Sequence, residues 1–233
     1  MQKVIDTQQA SSAAMDISML LADNDGGQST RRIQTLSVND NGLTKTIMVF
    51  LEPASVKNTR FLTIENESRG DDQWIYLPAL RKVKRIASSE QSGSFMGSDF
   101  SYSDMSFANS VLDDSTYAIL REEIVNGLDC YVVESIPARD TDSQYGKEIT
   151  WVDKATWLTP RVEFYAKDGR TLLKVLEAED FKQIQGREFA GKMTMTTVAT
   201  EHATILEFRE VKYDIPIDQG YFTTTFLKSG RKR

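Results

Sequence analysis

The sequence predicts a mainly β protein: an antiparallel barrel or strongly curved sheet of about eleven strands, with few short helices. Three observations predict it. Apolar and polar residues alternate over one segment after another, which is the period of a strand with one dry and one wet face. Glycine- and Asx-rich tetrads separate these segments at hairpin spacing. Helical periodicity is confined to short pieces. The 233 residues, 40% apolar and 27% charged, suit a single all-β domain over 1–233, and no Pro- or Gly/Ser-rich linker divides them.

The elements follow in order. A short helix is expected over 2–10, where Val4 and Ile5 share a face with Gln8 and Gln9. In the next segment Met15, Ile17, Met19 and Leu21 fall on one side, and Asp16 and Ser18 on the other. Asn24-Asp25-Gly26-Gly27 turns the chain into a second strand over 28–38. Asn39-Asp40-Asn41-Gly42 repeats that chemistry. A third strand runs over 43–51, with Leu43, Ile47, Val49 and Leu51 on one face. Pro53 ends it, because proline cannot donate to a ladder. The meander continues through 60–66, 73–77 and 82–87. The second half has the same texture, with strands at 116–125, 128–136, 147–153, 160–167, 170–185, 188–199 and 203–215. Asn126-Gly127, Lys167-Asp168-Gly169-Arg170 and Gln185-Gly186 separate some of them. Turns or short helices are expected near 53–57, 98–107 and 218–227. A curved sheet with one apolar face either packs that face on itself or wraps it around something.

The residues offer little to catalyse with. The net charge of −6 argues against nucleic acid as the main partner, because phosphates need a positive field. Two basic runs depart from this average, Arg81-Lys82-Val83-Lys84-Arg85 and Arg231-Lys232-Arg233. They read either as solvated patches or as contacts to acidic lipid headgroups or an acidic protein face. One cysteine, Cys130, excludes an intrachain disulfide and a cysteine-based metal site; its strand-like surroundings make it a core residue. The one histidine, His202, reads as a solvated turn residue, since no Gly-x-Ser-x-Gly elbow presents a nucleophile. Asp23-Asn24-Asp25 resembles the start of a calcium loop but lacks the glycine and glutamate spacing of one. The doublets Asp71-Asp72, Asp113-Asp114 and Glu122-Glu123 point to opposite strand faces, unlike paired catalytic carboxylates. No enzyme, cofactor or metal is therefore expected. No run of eighteen apolar residues suggests a transmembrane helix, and Met1–Asp6 lacks the apolar region of a secretory leader.

The unusual stretch is 71–107. It starts as a strand with Trp74 and Tyr76 on one face and Ile75 and Leu77 on the other, and Pro78 breaks it. The basic run follows, then a Gly/Ser-rich loop carrying Phe95, Met96, Phe100 and Tyr102. Such side chains are costly in water and should fold back onto something. Ser98 and Asp99 are placed to cap a short helix, on which Tyr102 would share a face with Met105 or Ser106. The loop is then a plug in the end of the barrel or a lid over an apolar pocket, and both readings stand here.

Trp74-Ile75-Tyr76-Leu77-Pro78-Ala79-Leu80, the run Arg81–Ile86, and Phe95-Met96-Gly97-Ser98-Asp99-Phe100-Ser101-Tyr102-Ser103-Asp104 together resemble the signature of the LolA-like outer membrane lipoprotein-sorting proteins. Phe50-Leu51-Glu52-Pro53-Ala54 supports the likeness more loosely. The resemblance implies an incomplete antiparallel β-barrel closed by a few short helices, with an apolar cavity that takes acyl chains. It implies work in the periplasm of Gram-negative bacteria, in a mature form whose leader has been removed. The expected function is carriage of lipoprotein acyl chains, a lipid or another hydrophobic molecule between the inner and outer membranes. The alternative is an interaction module of an envelope assembly, its cavity filled by its own side chains. Expected partners are an inner-membrane lipid-exporting transporter and an outer-membrane acceptor. The residues expected to line the cavity and lid are Ile47, Val49, Trp74, Tyr76, Phe95, Met96, Phe100 and Tyr102. Arg81, Lys82, Lys84 and Arg85 are expected to meet a partner or headgroups. Methionines such as Met15, Met19, Met48, Met96, Met193 and Met195 would make such a pocket adaptable, or serve as ordinary core filler.

Overall fold

Alternation sets the strands as expected. Met15, Ile17, Met19 and Leu21 share one face of β1 (Ser12–Ala22) and enter one apolar cluster. The computed structural model describes residues 1–67, 69–105, 115–138 and 143–231. Asp113-Asp114, residues 106–107 of the expected 98–107 helix, and Lys232 and Arg233 lie outside the described residues. After the helix α1 (Gln2–Gln8) come β1, β2 (Gln28–Asp40), β3 (Leu43–Glu52), β4 (Arg60–Ile64), β5 (Asp72–Leu77) and β6 (Lys82–Ile86). Then follow β7 (Ser115–Val125), β8 (Leu128–Pro137), β9 (Lys147–Asp153), β10 (Arg161–Tyr165), β11 (Leu172–Ile184), β12 (Arg187–Thr197), β13 (His202–Tyr213) and the helix α2 (Thr224–Ser229).

The expectation of a mainly β, open curved antiparallel sheet holds. Among the described residues there are thirteen strands, more than the overall figure of about eleven but one for each segment expected above, in one sheet of order β6-β5-β4-β3-β2-β1-β13-β12-β11-β10-β9-β8-β7. Every pairing is antiparallel, and β1 joins the two halves by pairing with β13. β6 and β7 follow one another in the chain yet form the two ends of the sheet, so the sheet is not closed.

The chain between those ends shows how far the sheet curls. Gln73 of β5 donates to the Tyr102 carbonyl at 2.8 Å, and Lys174 of β11 reaches Asp104 at 3.1 Å. β5 and β11 stand seven strand steps apart, about 34 Å in a flat sheet at ~4.8 Å per step. Two loop residues span only about 7 Å of backbone. Both contacts are possible only because the sheet wraps around the loop. We call the wrapped side the inner face.

No helix forms over the described part of 98–107. Met96 and Gly97 take positive φ (53° and 78°), and Ser94 bridges Ser101. The chain doubles back there, so the capping oxygens of Ser98 and Asp99 serve other partners. The turn near 53–57 and the turn-plus-helix near 218–227 form as expected. In α2, Thr223 caps the first turn through Phe226 N–H, and Gly230 ends the helix at φ 65°. A side chain at Gly230 would also strike the Arg60 guanidinium, which donates to the Leu227 carbonyl at 2.8 Å.

Two faces are dry over β2–β5. Met48, Phe50, Phe61 and Ile75 join the inner core, whereas Leu36, Ile47, Leu62 and Trp74 pack on the outer face against Phe226 and Leu227. The C-terminal segment gives this half of the sheet its second layer.

Candidate functional site

The loop after β6 fills the middle of the inner face. Phe95 is fully buried and Phe100 nearly so. Phe95 lies 5.0 Å from the Phe61 ring, 6.0 Å from Phe50 and 5.5 Å edge-on from Tyr102, ring separations in the favourable range. Met96 and Tyr102 pack partly buried against the same core, and the Met96 carbonyl accepts from Arg31 at 2.7 Å.

Two aspartates pin this segment. Asp99, in the loop and 3% exposed, accepts from the hydroxyls of Thr197 (2.5 Å) and Thr204 (2.7 Å) and contacts His202 Nδ1 at 2.5 Å. Its own N–H donates to Thr204 Oγ1 at 3.0 Å. His202 Nε2 faces Asp23 of the β1–β2 turn at 3.0 Å. His202 is thus not the solvated turn residue expected; it opens β13 and is wedged between two carboxylates. Asp104 accepts from Ser101 N–H (2.7 Å), Gln144 (2.9 Å), Tyr145 OH (3.0 Å) and Lys174 (3.1 Å). Burial, then the Asp104 charge, pushes the Tyr145 phenol well above its usual range. Sequence reasoning missed both knots. Their one visible signal was the pair of aspartates in a Gly/Ser loop, of which local reasoning reads Asp99 as a cap.

The eight residues expected to line one cavity divide between two faces. Phe95, Met96, Phe100 and Tyr102 lie on the inner side, while Ile47, Val49, Trp74 and Tyr76 lie on the outer side beneath the C-terminal segment. Strand alternation requires the split: Ile47 and Val49 interleave with the inward-facing Met48 and Phe50. Ile47 and Val49 do line an outer cleft of about 340 Å³, with Gln34, Leu36, Ile217 and Phe226.

A second cleft, of about 330 Å³, opens at the β7–β9 end of the inner face, beyond the plugging loop. Tyr117, Ile119, Tyr131, Val133, Val152 and Trp157 line it, with Met1 at its rim. Tyr131 and Trp157 stack at 6.5 Å on one wall. The expected site residues did not include these, although the alternation of 116–125 and 128–136 marks both strands.

Near the loop, Glu148 of β9 is half-buried on the inner face. Burial first and the Asp104 charge second push its pKa up to about 7 from 4.5. The folded state therefore binds this proton more tightly than the unfolded state does. The group's stabilising contribution is whole at acid pH and is lost as pH rises from about 4.5 to about 7. Glu148→Gln should flatten that part of the stability–pH curve by up to a few kcal/mol. Urea midpoints at about pH 5 and about pH 8 test it, and an unchanged slope in the variant contradicts it.

The basic run is partly neutralised. Lys84 pairs with Glu90 at 2.6 Å, and Arg85 and Arg69 both clamp Asp72, holding its carboxyl well below the usual range. Arg81 and Lys82 are exposed at the β5–β6 turn. Among the described residues no group of three or more His, Cys, Asp or Glu could hold a metal, and no helix is long and apolar enough to cross a membrane.

A family model described as an uncharacterized protein matches residues 42–229. Solved structures share the whole fold. A DUF1329 family protein from Desulfovibrio piger superposes with a TM-score of 0.92 at 28% identity, covering 97% of this chain and 95% of that one. An outer membrane lipoprotein-sorting protein domain from Vibrio parahaemolyticus gives 0.90 at 33% identity, over 97% and 96%. A LolA superfamily protein from Nitrosomonas europaea gives 0.75 at 23% identity, over 97% and 98%, which bears on the fold alone. No curated protein matches the sequence.

Proposed function

Since the chain belongs to the DUF1329 family of LolA-like outer membrane lipoprotein-sorting proteins, we propose that it binds a hydrophobic, acyl-type molecule without catalysis and carries it through the periplasm. A lipoprotein-carrier-like fold, shared with the lipoprotein-sorting domain and the LolA superfamily protein, supports the reading. The observation that carries the reading is the open apolar cleft at the β7–β9 end of the inner face. Its volume of about 330 Å³ sits near the lower end of the ~300–1,000 Å³ usual for ligand pockets. An acyl chain gains about 0.8 kcal/mol per methylene buried, so a partly exposed cleft of this size favours reversible loading. Tyr and Trp walls supply broad apolar area at low entropic cost.

In this reading Phe95, Met96, Phe100 and Tyr102 fill the inner face on β3 and β4 and leave the cleft to other residues, and Ile47, Val49, Trp74 and Tyr76 support the sheet from outside. Arg81 and Lys82 are free to meet acidic headgroups at a membrane or a transporter's acidic face. An inner-membrane lipid-exporting transporter would load the protein and an outer-membrane acceptor would unload it.

Titration with a fluorescent fatty acid, alongside native mass spectrometry of the gently purified protein, tests the proposal. Tyr117→Lys places a charge in the cleft and should weaken probe binding about tenfold or more, a change of at least ~1.4 kcal/mol. If neither the wild type nor a lipid-loaded preparation shows binding, the carrier reading fails. The second reading then stands: an interaction module of an envelope assembly whose cavity is self-filled. The complete burial of Phe95 on the inner face favours that second reading.

A further inference from the structure

The two ends of the sheet are built differently. β6 is five residues long and presents Lys82, Lys84 and Arg85, the charged, short design that keeps a free edge from pairing. β7 is eleven residues long. Four of the six exposed large hydrophobic side chains among the described residues, Ile119, Leu120, Ile124 and Ile136, lie on β7 and its neighbour β8. Ile124 is 74% exposed and Ile119 65%. One edge is protected and the other is not.

The faces of β7 follow from its register with β8. Arg121 pairs with Val132 and Glu123 with Cys130, so both point to the outer face. Glu122 pairs with Tyr131, Ile124 with Asp129 and Ile119 with Val133, on the inner face. The register shifts between Ile119 and Arg121, which makes Leu120 the extra residue of a bulge. Arg121 and Glu123 already reach each other at 2.7 Å within the strand, and Glu122 is held by Lys154 at 2.8 Å. Lys154 is shared with Asp129 of β8, also at 2.8 Å, so each carboxylate near the edge has a cationic partner and the net charge of the group is a single negative one.

Laid antiparallel on a copy of itself about Glu122, this strand is self-complementary. Arg121 of each copy then faces Glu123 of the other, twice by symmetry, on the outer face. On the inner face Ile124 of each copy faces the bulged Ile119-Leu120 pair of the other. The two Glu122 side chains meet at the axis, each beside its own Lys154. We propose that β7 is a homodimerisation edge, through which two chains join their sheets around a two-fold axis at Glu122. Such an interface is isologous and closes on itself, so the assembly stops at two. Main-chain bonds along the edge give affinity, and the alternating pairs fix the register.

The inference does not rest on the carrier reading: Ile119 is shared with the inner cleft, but Glu122 and Ile124, which the tests alter, do not line it. Size-exclusion chromatography with light scattering on the full chain should show a dimer. Ile124→Lys should convert it to a monomer with an unchanged β circular dichroism spectrum, since an exposed side chain is replaced. Glu122→Cys should form an intermolecular disulfide under mild oxidation, while Lys84→Cys on β6 should not; Cys130 is fully buried and does not compete. A wild-type chain that stays monomeric at every concentration tried overturns the proposal. So does a Glu122→Cys variant that cross-links no faster than Lys84→Cys, and so does a dimer that Ile124→Lys leaves intact.

Discussion

Phe95→Ala should lower the unfolding free energy by about 3–5 kcal/mol. The ring is fully buried and stands among Phe50, Phe61 and Tyr102 at 5.0–6.0 Å. Removing it deletes the transfer gain of a large aromatic and leaves a cavity in a place that cannot collapse. The sheet wall is fixed by its ladders, and the loop is pinned after Phe95 by Asp99 and Asp104. For a domain with ~5–15 kcal/mol in total, this is a large share. Denaturant melts of the wild type and the variant measure it. A loss below about 1 kcal/mol would mean that the loop is a movable lid rather than a plug. Phe95→Asp should do more damage still, because it buries an unpaired carboxylate, and so is the weaker probe of ligand binding.

Asp99→Ala is the second large effect, at about 3–5 kcal/mol. The carboxylate is 3% exposed and joins the loop to β12 and β13 through Thr197, His202 and Thr204. Truncation takes the acceptor from the buried Thr204 hydroxyl and the half-buried Thr197 hydroxyl and removes one of the two carboxylates flanking His202. Asp99→Asn keeps an acceptor oxygen and should cost less. A double-mutant cycle between Asp99 and His202 separates their contact from the rest. The expected coupling is ~0.5–3 kcal/mol; additive effects within error would show that the two residues act independently. Hydrogen exchange at residues 93–105 should rise with Asp99→Ala, because the tether to β13 is cut while the sheet ladders remain.

These two residues also mark the limit of local reading. That Phe95 and Phe100 must be buried was legible, because large aromatics in a Gly/Ser loop have nowhere cheap to sit in water. What buries them was not. Asp99 reads as a helix cap from its neighbours alone, since the short-range pattern of an Asx before a turn is the same in both cases. Its true partners, Thr197, His202 and Thr204, stand about a hundred residues away in sequence. Ile47 and Val49 show a related limit. Alternation correctly put them on one face, but the interleaved Met48 and Phe50 are also buried, so the apolar face of β3 is not single. A strand covered on both sides loses the contrast that tells inside from outside.

The sequence by itself determined the class of this protein, its strands to within a few residues and the family it belongs to. Period-two alternation and turn chemistry are local properties, set by side-chain direction and by backbone conformations that Gly, Asn and Asp tolerate. Only the tertiary structure decided that β1 closes on β13, that β6 and β7 become opposite ends, and that the loop between them fills the inner face. Those outcomes depend on which distant surfaces meet when the sheet curls. The cleft at β7–β9 and the unprotected β7 edge are products of that curl: the loop covers the middle of the inner face, and at the β7–β9 end Val4 of α1 packs on Val133 and Val152 beside the cleft.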